Sequence, residues 1–292
     1  MIGSVTGAPP RRPAWMGGGS RAGRRRRAGS TPLADKVILI GAALLVAVLL
    51  VLPPLLPHGP LDLAGLPLTP PGSAHLLGTD EQGHELLTRI AYGMRNSLLS
   101  AFVIILSGVA IGGVIGLVAG MAGGWVDAVL MRLTDLFLAL PGPLLVLAVV
   151  AALGPSLQHT LVGVAVVWWP WYARVTRGQV RATARQPHVE AARLAGLSRL
   201  RIAFRHVLPG SLSPIVVTAS LDIGNVVLLL AALSFLGLGS SDTTPELGAM
   251  SARGLTYLFS SWWVAVLPAV GVFVVAFVGN FAGDAVRDLV ER

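Results

Sequence analysis

Six stretches of this chain have about the length of a membrane-crossing helix and carry almost no charge, and they restrict its fold more than any other feature. A helix needs about 20 mostly apolar residues to cross roughly 30 Å of hydrocarbon. Residues 37–57, 98–121, 133–153, 157–173, 212–236 and 262–282 meet or approach that length. Hydrocarbon offers the backbone no hydrogen-bond partner, so each stretch must satisfy its own amides as a helix. The predicted fold class is an all-α membrane protein with six transmembrane helices. Composition agrees: 12% of the 292 residues are charged, against about 25% in soluble domains, and mean hydropathy is +0.73. Pro141 and Pro143 predict a kink or break in the third stretch. The fourth is the shortest, and its Trp168, Trp169, Trp171 and Tyr172 suit an interfacial belt.

Six crossings put both termini on one side, and basic residues mark that side as cytoplasmic. Of 22 lysines and arginines, 19 fall there: eight in the N-terminal tail, Arg132, eight between the fourth and fifth stretches, Arg287 and Arg292. Arg89, Arg95 and Arg253 fall on the other side. The expected organisation is a basic disordered tail (1–36), a first transmembrane helix (37–57), an extracytoplasmic segment (58–97) and a membrane domain (98–288) that contains a cytoplasmic loop (174–211). The tail's arginines would attract the phosphates of lipid or nucleic acid. A topogenic positive flank is the simpler reading, so lipid is expected as a partner and nucleic acid is not. Residues 37–57 end in Pro-Pro-Leu-Leu-Pro without a small-x-small pattern, which argues against a cleaved signal peptide.

Several chemistries are excluded. The chain has no cysteine, and its six histidines include no HxxxH pair, so no metal is expected. No HExxH or GxSxG occurs, and no catalytic residue or resident cofactor is predicted. The single lysine, Lys36, lies outside any glycine-rich phosphate cradle. If ATP drives this protein, another chain binds it.

The run 190–209, EAARLAGLSRLRIAFRHVLP, is too basic for hydrocarbon and too patterned for a linker. Residues 189–195 favour a helix that Gly196 can end in a left-handed conformation, followed by a turn and a segment running into Leu208 and Pro209. Ala191 and Ala192 would let the short helix enter a partner's groove with Glu190 as a charged acceptor at its rim; a surface helix touching only lipid headgroups is the alternative.

Thr218, Asp222 and Asn225 share one helix face at i, i+4 and i+7. They either line a pathway or fix packing through interhelical hydrogen bonds. Gly112, Gly116 and Gly120 mark a seam of close helix approach, internal or with a partner. Asp135 is placed to pair with Arg132. Residues 58–97 read either as a cap beside the pathway or as a simple interfacial anchor, with 81–93 as an amphipathic surface helix.

The E-A-A-x-x-x-G spacing of Glu190, Ala191, Ala192 and Gly196, followed by Leu208-Pro209, resembles the cytoplasmic loop of bacterial ABC importer permeases. Gly78-Thr79-Asp80 with Gly83 and Tyr92-Gly93, the run ALSFLGLG at 232–239, Pro245 with Gly248-Ala249-Met250, and GDAVRD at 283–288 are similar to dipeptide, oligopeptide and nickel permeases of the DppC/OppC type. The similarity runs from about residue 37 to the C-terminus. It departs at His84-Glu85, where relatives show Arg-Asp, at Leu247, where they show tryptophan, and at Leu230, where many carry an acid. The resemblance implies a type I ABC importer permease fold and a non-catalytic subunit. Its implied partners are a homologous permease subunit, two ATP-binding subunits or domains and an extracytoplasmic substrate-binding protein. It further implies coupling to the ATPases through residues 190–196 with Leu208 and Pro209, and peptides as cargo. A nickel or other small-solute importer shares this architecture; a stand-alone channel or secondary transporter would need no ATPase.

Overall fold

The computed structural model describes residues 32–239 and 244–290; most of the basic tail lies outside the described residues. Among the described residues there are ten α-helices: α1 (Pro32–Val51), α2 (Leu86–Ala122), α3 (Gly124–Ala139), α4 (Gly142–Leu153), α5 (Leu157–Ala184), α6 (Pro187–Leu194), α7 (Arg199–Ile202), α8 (Leu208–Phe235), α9 (Leu247–Gly254) and α10 (Trp263–Val290). Among the described residues there is no β-strand, only isolated bridges between Leu63 and His84 and between Thr79 and Glu85.

Among the described residues, three helical stretches are long and apolar enough to cross a membrane: α2, the run Arg199–Phe235 and α10. A fourth is reached if α3 and α4 count as one span, although they are bent by 87°. That bend is the predicted break: Leu140 and Pro141 are extended at the junction, and Pro143 sits in the first turn of α4, where a missing N–H costs nothing. The 157–173 stretch is the apolar part of α5, which continues for a further three turns as a polar, arginine-bearing helix.

The glycine seam of α2 is internal. A Cβ on Gly112 would meet the Trp169 carbonyl, one on Gly116 would lie 2.5 Å from the Ala173 carbonyl, and one on Gly120 would lie 2.5 Å from Val180 Cγ1. Glycine at these positions lets α2 and α5 touch backbone to backbone. The same logic explains several motif positions near the C-terminus. Gly248 packs against the Ala231 carbonyl, bringing α9 onto α8, and a Cβ on Gly283 would lie 2.6 Å from the Ser220 carbonyl, bringing α10 onto α8. Around these contacts Leu98, Ile104, Val164, Val226, Val227 and Val275 form a dry core shared by α2, α5, α8 and α10.

The segment 58–97, expected to be extracytoplasmic, is held by a buried polar cluster. Asp80 Oδ1 accepts the amides of Gln82 and His84, each at 2.9 Å, and Asp80 Oδ2 accepts Arg89 Nη1 at 2.6 Å. His84 Nδ1 lies 2.9 Å from the same guanidinium nitrogen, and Glu85 Oε2 takes Thr88 Oγ1 and His58 Nδ1, both at 3.0 Å. Burial alone would raise the Asp80 pKa. The His84 amide, the Arg89 charge and the Gln82 amide outweigh it and hold the carboxyl below its ordinary value. The expected surface helix over 81–93 is therefore replaced by a tight turn up to Glu85 and the buried start of α2. Leu86, Arg89 and Ile90 are at most 5% exposed, packed with Leu247, Met250, Trp263 and Val264.

Candidate functional site

The run 190–209 folds as a short helix, a turn and a re-entry into a long helix. Pro187 opens α6, where its fixed φ suits a first turn. At the other end the Gly196 amide donates to the Arg193 carbonyl at 3.0 Å and the Leu197 amide to the Ala192 carbonyl at 3.3 Å. This is a Schellman cap, and it requires the left-handed φ of +77° that Gly196 adopts. The Ser198 hydroxyl then accepts the Arg201 amide at 3.4 Å to start α7. A wide π turn, Ala203–Val207, precedes Pro209. Proline cannot donate to the carbonyl four residues back, and the widened turn makes room for its ring.

Packing decides which side of α6 is free. Val189 is fully buried and Ala192 is 7% exposed, in a cluster with Val180, Ile202 and Val207 and flanked by Leu117, Met121, Ala184 and Leu197. Ala192 thus lets α6 seat closely on its own chain, which differs from the expectation of a partner-facing pair of alanines. The outer face carries Glu190, Ala191 and Leu194, all exposed, Leu194 by 87%. Gly196 and Pro209 are exposed and Leu208 is half-buried.

Ion pairs anchor the helix that carries this element. Asp127 of α3 is clamped by Arg177, through Nε and through Nη2 at 2.7 Å, and by Arg181 Nη2 at 2.6 Å. Asp135 pairs with Arg174 at 2.6 Å rather than with Arg132, its expected neighbour. The spacing of Arg177 and Arg181 one turn apart on α5 was the available signal for this clamp; nothing in the sequence tied it to Asp127.

The Thr218, Asp222 and Asn225 stripe lies on α8, distant in the fold from α6. Asp222 Oδ2 accepts the Tyr172 hydroxyl of α5 at 3.0 Å, and Asn225 reaches the same carboxylate. Thr218 donates back to the Pro214 carbonyl at 2.9 Å. Asp222 is half-buried and Asn225 exposed. Leu230, about two turns beyond Asp222, is 5% exposed in the core, which gives an apolar reason for the absence of an acid there. Among the described residues no group of three or more His, Asp or Glu is disposed to hold a metal.

Comparisons with known proteins identify the architecture. Residues 112–292 match the family described as "Binding-protein-dependent transport system inner membrane component". The chain is 39% identical over 224 residues to the probable D,D-dipeptide transport system permease protein DdpC of Escherichia coli (strain K12), covering 77% of this chain and 75% of that one. It is 41% identical over 230 residues to the di/tripeptide transport system permease protein DppC of Pseudomonas aeruginosa (strain UCBPP-PA14), covering 77% and 76%. The fold resembles a chain of the MetNI methionine ABC transporter solved in an inward-facing conformation, with TM-score 0.57 and 20% identity, covering 71% of this chain and 98% of that chain. The fold and the matched residues agree, and this chain belongs to the family of binding-protein-dependent transport system inner membrane components, multi-pass proteins of the bacterial plasma membrane.

Proposed function

We propose that this chain is the permease subunit of an ATP-driven importer of dipeptides or oligopeptides. It pairs with a homologous permease subunit, two ATP-binding chains and an extracytoplasmic substrate-binding protein. The relatives' printed transport roles support the cargo class. The observation that carries the mechanism is the α6 element: a capped helix seated firmly on α2, α5 and α7, with one exposed face holding Glu190, Ala191 and Leu194. A helix fixed on its inner side and free on its outer side transmits a push as a rigid body. ATP binding would close the ATPase pair, carry residues 190–196 with it, and reorient the spans through α5 and the Asp127 clamp. The chain itself performs no hydrolysis and holds no cofactor. Asp222, with Thr218 and Asn225, is assigned to the translocation pathway because its carboxylate is half-exposed on a long apolar helix, where an acid is costly unless it faces a polar space.

Reconstitution into liposomes tests this reading. The chain alone should move no peptide, and uptake should need the permease partner, the ATP-binding chains, the binding protein and ATP together. Uptake by the chain alone would instead identify a channel or secondary transporter. Nickel or another small solute bound by the partner binding protein, with no peptide binding, would replace the cargo assignment and leave the architecture intact.

A further inference from the structure

Where α2 ends, two adjoining clefts open between its last turns and the α6–α7 turn. One, of about 380 Å³, is lined by Arg193 and Arg199 with Leu197 and Met121. The other, of about 270 Å³, is apolar, walled by Leu117, Val118, Leu200 and Phe204, and Arg199 borders both. Leu200 is 73% and Phe204 60% exposed, far more than a soluble surface would favour at adjoining sites.

Charge in this part of the chain is divided. Arg174 is paired with Asp135, and Arg177 and Arg181 share Asp127. Arg193 and Arg199 have no carboxylate partner among the described residues, and no carboxylate lines either cleft. The apolar cleft continues onto Val118, Val114 and Ile111 of α2, exposed residues spaced for one helix face. That face lies away from the glycine seam, which leaves it free to meet hydrocarbon. An unneutralised arginine pair thus caps an apolar channel at the end of a membrane-crossing helix.

We propose that these clefts bind one anionic phospholipid, with its phosphate on Arg193 and Arg199 and the upper part of an acyl chain along Leu200, Phe204 and Val118. Basic pockets at the cytoplasmic end of membrane helices attract anionic headgroups, and the apolar wall selects a lipid over free phosphate. The bound lipid would brace the α6–α7 turn from behind, leaving the outer face of α6 open. The inference stands on the clefts and their charge and does not depend on the cargo.

The test is native mass spectrometry of the full chain in detergent micelles carrying equal phosphatidylglycerol and phosphatidylcholine. Phosphatidylglycerol should be retained over phosphatidylcholine, with retention falling about tenfold or more in the Arg193→Gln/Arg199→Gln double variant. Arg199→Lys should keep it, and so should Arg132→Gln, which removes an exposed arginine elsewhere. Equal retention of the two lipids by the unaltered chain overturns the proposal, as does unchanged phosphatidylglycerol in the double variant or an equal loss in Arg132→Gln. The two-lipid comparison on the unaltered chain decides the matter even if the double variant does not fold.

Discussion

Asp80 and Gly196 illustrate what single residues do here. Asp80, 3% exposed, is the acceptor around which the turn before α2 closes, and Arg89, 1% exposed, has its charge answered there. Asp80→Asn removes the charge opposite a buried guanidinium and should cost about 3–5 kcal/mol, read as a lowered thermal midpoint in detergent. The folded carboxyl titrates below its ordinary value of 3.8. Its contribution is therefore complete above the unfolded pKa and is lost as pH falls through the folded one. The difference in melting between the natural chain and Asp80→Asn should shrink as the medium is taken below about pH 4 and stay constant from pH 5 to 8. At Gly196 the left-handed φ of +77° penalises any side chain although no atom crowds the position. Gly196→Ala should destabilise the end of α6 by roughly 1 kcal/mol, detectable as faster amide exchange at Leu197.

Among the elements, α2 and α5 pack backbone to backbone; the glycine spacing marked a seam on α2 but did not say which helix meets it. Gly116→Leu would drive a side chain into the Ala173 carbonyl and the Arg177 amide, the latter 2.9 Å from a built Cβ. It should lower stability by about 3 kcal/mol or abolish monodisperse protein, whereas Gly113→Ala, with nothing within 4 Å of the new Cβ, should be tolerated. Size-exclusion profiles of the two variants separate these outcomes. Other elements were legible for equally physical reasons. Pro141 and Pro143 forecast the α3–α4 break because proline removes a donor, and Gly196 forecast the end of α6 because few residues other than glycine accept its φ. What the sequence hid were contacts between distant segments. The pairing of Asp127 with Arg177 and Arg181 spans about fifty residues, and local spacing instead suggested Arg132 for Asp135. The inward turn of Ala192 depended on Val180 and Ile202 of neighbouring helices. The start of α2 read as a surface helix because its partners, Trp263 and Leu247, lie far along the chain.

For the whole molecule, a long-helix core of α2, α5, α8 and α10 carries two distinct polar stations. One is the Asp222 and Tyr172 contact between α8 and α5; the other is the exposed face of α6 at the arginine-rich end. α5 touches Asp222 through Tyr172 and the buried side of α6 through Val180, and in the proposed cycle it would act as the lever between energy input and pathway. If Asp222 lines the pathway as proposed, Asp222→Asn should lower peptide uptake while leaving ATP hydrolysis responsive to the loaded binding protein, because it leaves α6 unaltered. In the proposed cycle α6 is the point where ATP energy enters. The direct measurement is ATP-dependent peptide uptake and binding-protein-stimulated ATP hydrolysis by the fully reconstituted transporter carrying Glu190→Ala or Gly196→Ala, with membrane insertion verified for each. Uptake and stimulated hydrolysis should both fall while insertion is unchanged; transport at the unaltered rate in both variants would contradict the account.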